Sequence, residues 1–95
     1  MENYYILFYE TSENYIQDRE AFRVQHLAQA KAAQEAGHLL LAGALEDPAD
    51  EAILIFMAHD PSVVEDFAKA DPYVQNGVVK HWKVSPWKVV MGSLI

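Results

Sequence analysis

His26 and Asp71 are the two side chains on which a chemical reading of this chain can be built. Imidazole titrates near neutrality and can take or give a proton at either ring nitrogen. A carboxylate beside it favours the charged ring and decides which nitrogen holds the proton. Such a pair can serve as general acid or general base. Asp71 precedes Pro72, and Asn76-Gly77 follows shortly after. Asp accepts hydrogen bonds from the free N–H groups at a helix start, proline suits the first helical position, and Asn-Gly tolerates positive φ. Residues 70–79 therefore read as a corner that holds one carboxylate in a fixed place. Each residue also has a plainer reading. Asp-Pro recurs at Asp47 and Asp60, where it serves turns or caps, and His26 can be a satisfied, partly buried ring.

Other chemistries lack their residues. There is no cysteine, no Gly-rich phosphate loop, no G-x-S-x-G turn and no H-E-x-x-H. His26, His38, His59 and His81 fall on different expected elements, so no metal site and no cofactor are expected. The net charge of −7 argues against a nucleic-acid binder, and Lys80, Lys83 and Lys88 read as a solvated strand edge. Near the pair, Arg23 can anchor an anionic ligand or lie along a solvated helix margin. Tyr73 can present its hydroxyl to a ligand or simply pack. Trp82 and Trp87 suit burial in the core or a dimer contact more than a pocket wall, and Ser85 has no base beside it. His81 shares strand parity with Lys83 and Ser85, which suits an exposed face or a cleft rim.

The elements that must position these residues follow from the pattern. At 95 residues the chain makes one domain, and a hydrophobic fraction of 52% is enough for a core. Tyr4–Tyr9 is a strand, apolar at both parities and hence central. Asn14 and Gln17 resemble a capping box opening a helix from about Tyr15 to Ala36, which Gly37 ends. Phe22, His26, Ala30 and Ala33 form a narrow stripe on that helix, with Arg19 and Arg23 along its margin. Its small residues allow a close backbone approach. His38–Leu45 is the second strand, with Gly43 at a bulge or a close approach. A turn over Glu46–Asp50 leads to a third strand, Ala52–Ala58. Asp60-Pro61 opens a helix burying Val63, Val64, Phe67 and Ala68. Val78–Val90 is the fourth strand, with Pro86 at an irregularity.

This β-α-β-β-α-β order is the ferredoxin-like α+β arrangement: an antiparallel four-stranded sheet with both helices on one face. A position halfway along the first helix can then meet the segment after the second. The other sheet face is apolar and bare, so a second copy packed sheet to sheet, a homodimer, is expected. No apolar run reaches the ~20 residues that cross a bilayer, and the N-terminus lacks the basic region of a signal peptide. The chain reads as a soluble, cytoplasmic protein with no membrane or nucleic-acid partner.

Four stretches, in order, resemble the motifs of the YCII-related (YciI-like) family. They are Arg23-Val24-Gln25-His26-Leu27, then Gly37 through Leu45, then Ala70-Asp71-Pro72-Tyr73 with Gly77-Val78, and finally Val84-Ser85-Pro86-Trp87. The resemblance implies a dimeric ferredoxin-like domain, similar to muconolactone isomerase and antibiotic-biosynthesis monooxygenase domains. It also implies an active site at His26 and Asp71. Tyr73 stands where phenylalanine is common in the family, and Ala44 where proline is often found, so the pocket wall differs.

Two functions follow as expectations. In the first, a small cofactor-independent enzyme of lyase or isomerase type uses His26 to move a proton on a small aromatic or enol-like substrate. Asp71 orients the ring, and Arg23 and Tyr73 contact the ligand. In the second, a dimeric module binds a small metabolite or assists a partner enzyme without turnover. A deep pocket reaching His26, with Asp71 within hydrogen-bond distance of the ring, favours the first; a filled site, or Asp71 turned back onto its own backbone N–H groups, favours binding or plain structure.

Overall fold

Alternating burial along two strands shows which side of the sheet the chain covers. The computed structural model describes residues 2–93. In β1 (Asn3–Thr11), Tyr5, Leu7 and Tyr9 are buried while Tyr4, Ile6 and Phe8 are half-buried. In β3 (Glu51–Ala58), Ala52, Leu54, Phe56 and Ala58 are buried and Ile53, Ile55 and Met57 half-buried. The buried set faces the helices and builds the core with Val64, Phe67, Ala68 and Tyr73. A period of two, with both parities apolar, is what two central strands require.

β2 (Leu39–Ala44) and β4 (Val79–Trp87) complete an antiparallel sheet in the order β2-β3-β1-β4. β1 and β3 are thus the inner strands, as their composition requires. The chain is a four-stranded antiparallel α+β fold of the ferredoxin-like kind. α2 (Arg23–Glu35) and α3 (Ser62–Ala70) are its two longer helices.

Local details depart from the sequence expectations. The first helix is not continuous: α1 (Tyr15–Asp18) is followed by a 3-10 turn at Glu20–Phe22 before α2 begins. Helix propensity is a weak constraint, and here the packing of Tyr15 and Phe22 on the core accompanies a break that propensity alone does not signal. Asn14 makes no side-chain cap; instead its carbonyl accepts from the N–H groups of Gln17 and Asp18. The bulge in β2 lies between Leu39 and Leu41, not at Gly43. β4 ends at Trp87 rather than Val90. Pro86 sits within its regular pairing, opposite Tyr5, which an edge strand tolerates. Ala70 is followed by a further short helix, α4 (Pro72–Gln75), capped by Asp71. Gly37 and Gly77 take positive φ, +84° and +75°, at the ends of α2 and α4.

Candidate active site

Asp71 is fully buried, and its carboxylate is met by three hydrogen-bonding groups. As N-cap of α4 it accepts the Tyr73 N–H on Oδ1 at 2.9 Å. On its other oxygen it accepts the Tyr9 hydroxyl of β1 at 2.7 Å. His26, in the second turn of α2, brings Nδ1 to 2.9 Å from Oδ1 and 3.0 Å from Oδ2. The α3–α4 corner, the core face of β1 and α2 therefore converge on one carboxylate. A buried carboxylate needs such partners, since leaving it unmatched is costly.

The network assigns the imidazole tautomer. An acceptor-only carboxylate facing Nδ1 requires Nδ1 to hold a hydrogen, which leaves Nε2 of the neutral ring with its lone pair. Nε2 lies on the far edge of the ring from Asp71 and has no hydrogen-bond partner among the described residues. The ring is stacked on Tyr73, with centroids 3.9 Å apart and planes inclined by 10°. Tyr15 meets Tyr73 edge-on at 6.1 Å. The imidazole is thus held at one edge by Asp71 and on one face by an aromatic plate.

Burial pushes the Tyr9 phenol far above its ordinary titration range. The Asp71 charge and the hydrogen bond to it act in the same direction. Tyr9 is therefore a fixed donor. Burial also raises Tyr73, helped by Tyr15, while the guanidinium charges of Arg23 and Arg19 pull it the other way.

His26 lines a cavity of about 210 Å³ between α2 and the sheet. Leu27 and Ala30 wall it on the helix side; Ala42, Ala44, Ala52 and Leu54 come from β2 and β3. Ala30 of the helix stripe thus faces other small residues across a hollow, while Ala33 packs against the core. A Cβ placed on Gly43 would meet nothing within 4 Å. Arg19, Arg23, Tyr15 and Tyr73 also line this cavity. A larger surface hollow, about 510 Å³ between the β1–α1 turn and the β2–β3 loop, includes neither His26 nor Asp71.

His26, Asp71, Arg23 and Tyr73, expected from the sequence, are gathered here. Both proposed fates of Asp71 occur together: it caps α4 and it holds the imidazole. Tyr9 and Arg19 were not singled out as site residues. For Tyr9 a signal existed, because a tyrosine on the core face of a strand needs a partner for its hydroxyl. Ser85 pairs with Ile6 and His81 with Glu10 in the register of β4 with β1, on the face away from the cavity. Trp82 packs against the core and Trp87 is exposed. Among the described residues no three of His, Asp and Glu converge as metal ligands would.

Comparison with known proteins places the fold in a wider group. Residues 3–88 match the family model of the YCII-related domain. An uncharacterised protein of Haemophilus influenzae is 34% identical over 96 residues, covering 92% of this chain and 98% of that protein. The solved structure of 5-chloro-2-hydroxyhydroquinone dehydrochlorinase (TftG) from Burkholderia phenoliruptrix, in complex with 2,5-dihydroxybenzoquinone, is similar with a TM-score of 0.75. Identity to it is 18%, over 90% of this chain and 93% of that one. A NIPSNAP family protein from Agrobacterium tumefaciens gives a TM-score of 0.66 at 14% identity, covering 99% of this chain and 94% of that one. At these identities the two structures establish the shared fold.

Proposed function

The chain belongs to the YCII-related domain family, and from that premise we propose that it is a small enzyme in which His26 moves a proton on a small organic substrate. The observation that carries the reading is the imidazole clamped through Nδ1 by a buried, three-donor carboxylate, on a ring that lines a cavity.

In the proposed step Nε2 takes a proton from the substrate, and the electron pair left behind forms an enolate. Elimination follows if that pair expels an anionic leaving group; isomerisation follows if a proton returns at another carbon. Asp71 stays a carboxylate throughout and stabilises the imidazolium that forms. The Tyr9 hydroxyl and the Tyr73 N–H hold that carboxylate in place, and Tyr73 stacks on the ring. Neither step calls for a cofactor. TftG, by its name, removes hydrogen chloride from 5-chloro-2-hydroxyhydroquinone, and its structure holds 2,5-dihydroxybenzoquinone. A cavity of about 210 Å³ suits a molecule of similar scale, since about 150 Å³ already accommodates benzene.

The proposal includes a homodimer. Tyr4, Ile6, Phe8, Ile53, Ile55 and Met57 are only half-buried, and Leu41 and Trp87 are exposed; all share the sheet face opposite the helices. A continuous apolar face of this kind supports sheet-to-sheet pairing.

Small hydroxylated rings, including hydroxyquinols and keto–enol acids, form the first substrate panel. Once turnover of one is found, His26→Asn is expected to lower kcat at least ~10²-fold, the usual scale for losing a positioned acid or base. Asp71→Asn keeps a capping side chain and is expected to lower kcat while the fold persists. Full turnover by either variant contradicts the assignment. The alternative of a binding module without catalysis predicts ligand affinity with no turnover across the panel.

A further inference from the structure

The chain carries a formal charge of −7, yet both of its arginines line the cavity that reaches His26, and no acidic residue does. Arg19 sits between α1 and the 3-10 turn, and Arg23 is the first residue of α2. Among the described residues neither guanidinium has a carboxylate within ion-pair distance; the pairs formed are His26–Asp71 and His59–Glu2. Arg19 lies 5.0 Å from the centroid of the Tyr15 ring, which orders it, while its Nε is shut off from solvent without a hydrogen-bond partner. The field of both guanidiniums reaches the Tyr73 hydroxyl on the cavity wall. The closed-off Nε leaves no room for a ligand oxygen, so its desolvation is a cost to the fold, while the half-buried Arg19 side chain lines the cavity with its other donors.

We infer that Arg19, together with Arg23, is the substrate-anion site of this cavity, selecting a one-ring ligand that carries a carboxylate or an ionised enol or phenol oxygen. The inference rests on the reading above that the ligand lies against His26, and it adds which molecules enter. A guanidinium pairs such oxygens with two parallel N–H donors, and partial desolvation strengthens the contact. The apolar small-residue floor takes the ring. The same two charges stabilise the enolate that proton removal by His26 creates, so an anionic handle and a developing oxyanion suit the same corner.

Benzoate and benzamide test this, because they share a shape and differ in charge. In NMR titrations of the intact protein, benzoate is expected to bind at least about tenfold more tightly than benzamide, the scale of one charge-assisted hydrogen bond. Arg19→Met keeps an unbranched stem over Tyr15 and removes the unpartnered Nε. It is expected to abolish most of the benzoate preference while its melting temperature stays at or above that of the parent. A merely structural arginine would instead lower the melting temperature and leave the preference intact. His26→Asn is expected to retain the preference while losing turnover, so failure of the anion site and failure of the proton-transfer reading are separable. Equal or undetectable binding of both probes by the parent protein, or an undiminished preference in Arg19→Met, overturns the inference.

Discussion

Tyr9 shows how much of this site depends on a residue far from any motif. Its hydroxyl is one of three donors on Asp71, and its ring is fully enclosed. Tyr9→Phe leaves Asp71 with one donor fewer and is expected to cost about 2 kcal/mol at neutral pH, as for a hydrogen bond to a charged group. Urea unfolding measures it. The pH dependence has a definite sign. Below about pH 10 the phenol is protonated in folded and unfolded chains alike, and its contribution is fully present. Above that, the unfolded chain releases the proton that burial and Asp71 hold on the folded one, so stability falls as pH rises. The Tyr9→Phe variant is expected to show a shallower alkaline decline than the parent. An equally steep decline would mean that Tyr9 ionises freely in the folded protein.

At the scale of elements, the corner between α3 and β4 sets the geometry. Gly77 ends α4 at φ +75°, and a side chain there meets no neighbour within 4 Å. Gly77→Ala therefore isolates backbone strain and is expected to cost about 1 kcal/mol, read from the urea midpoint. A neutral result would mean that the turn relaxes without that conformation. This corner was legible in the sequence because Asp-Pro and Asn-Gly state their backbone preferences locally. The order of strands was legible too, since β1 and β3 are apolar at both parities and only inner strands need that. The break at Glu20–Phe22 was not. Alanine, glutamine and glutamate suit a helix throughout residues 15–36, and the tertiary packing of Phe22 overrides a preference that carries no marker of its own. The hollow under α2 was hidden for a related reason. An alanine on a stripe permits either close approach or empty space; Ala33 packs on the core, and at Ala30 the facing Ala42, Ala44 and Ala52 decide for space. Arg19 stood at the margin of that stripe, with nothing in its own neighbourhood to tell a solvated arginine from a ligand-facing one.

For the whole molecule, the sheet divides two tasks. One face, with the helices, builds the core and the cavity; the other presents Ile6, Phe8, Ile53 and Ile55 outward. Light scattering at micromolar concentration is expected to give twice the chain mass of 10.8 kDa. Ile55→Glu, which sets a charge in the middle of that face, is expected to give a monomer. A monomeric parent protein would remove the dimer from the account without touching the cavity. At the centre of the site, and independent of any substrate, Asp71 holds the Nδ1–H form of the His26 ring, so that Nε2 is the free base of a ring that lines the cavity. Nitrogen-15 NMR of the neutral imidazole tests it most directly. A protonated Nδ1 and a bare Nε2 are expected, a preference weakened in Asp71→Asn; a ring protonated at Nε2 in the parent protein would refute the assignment.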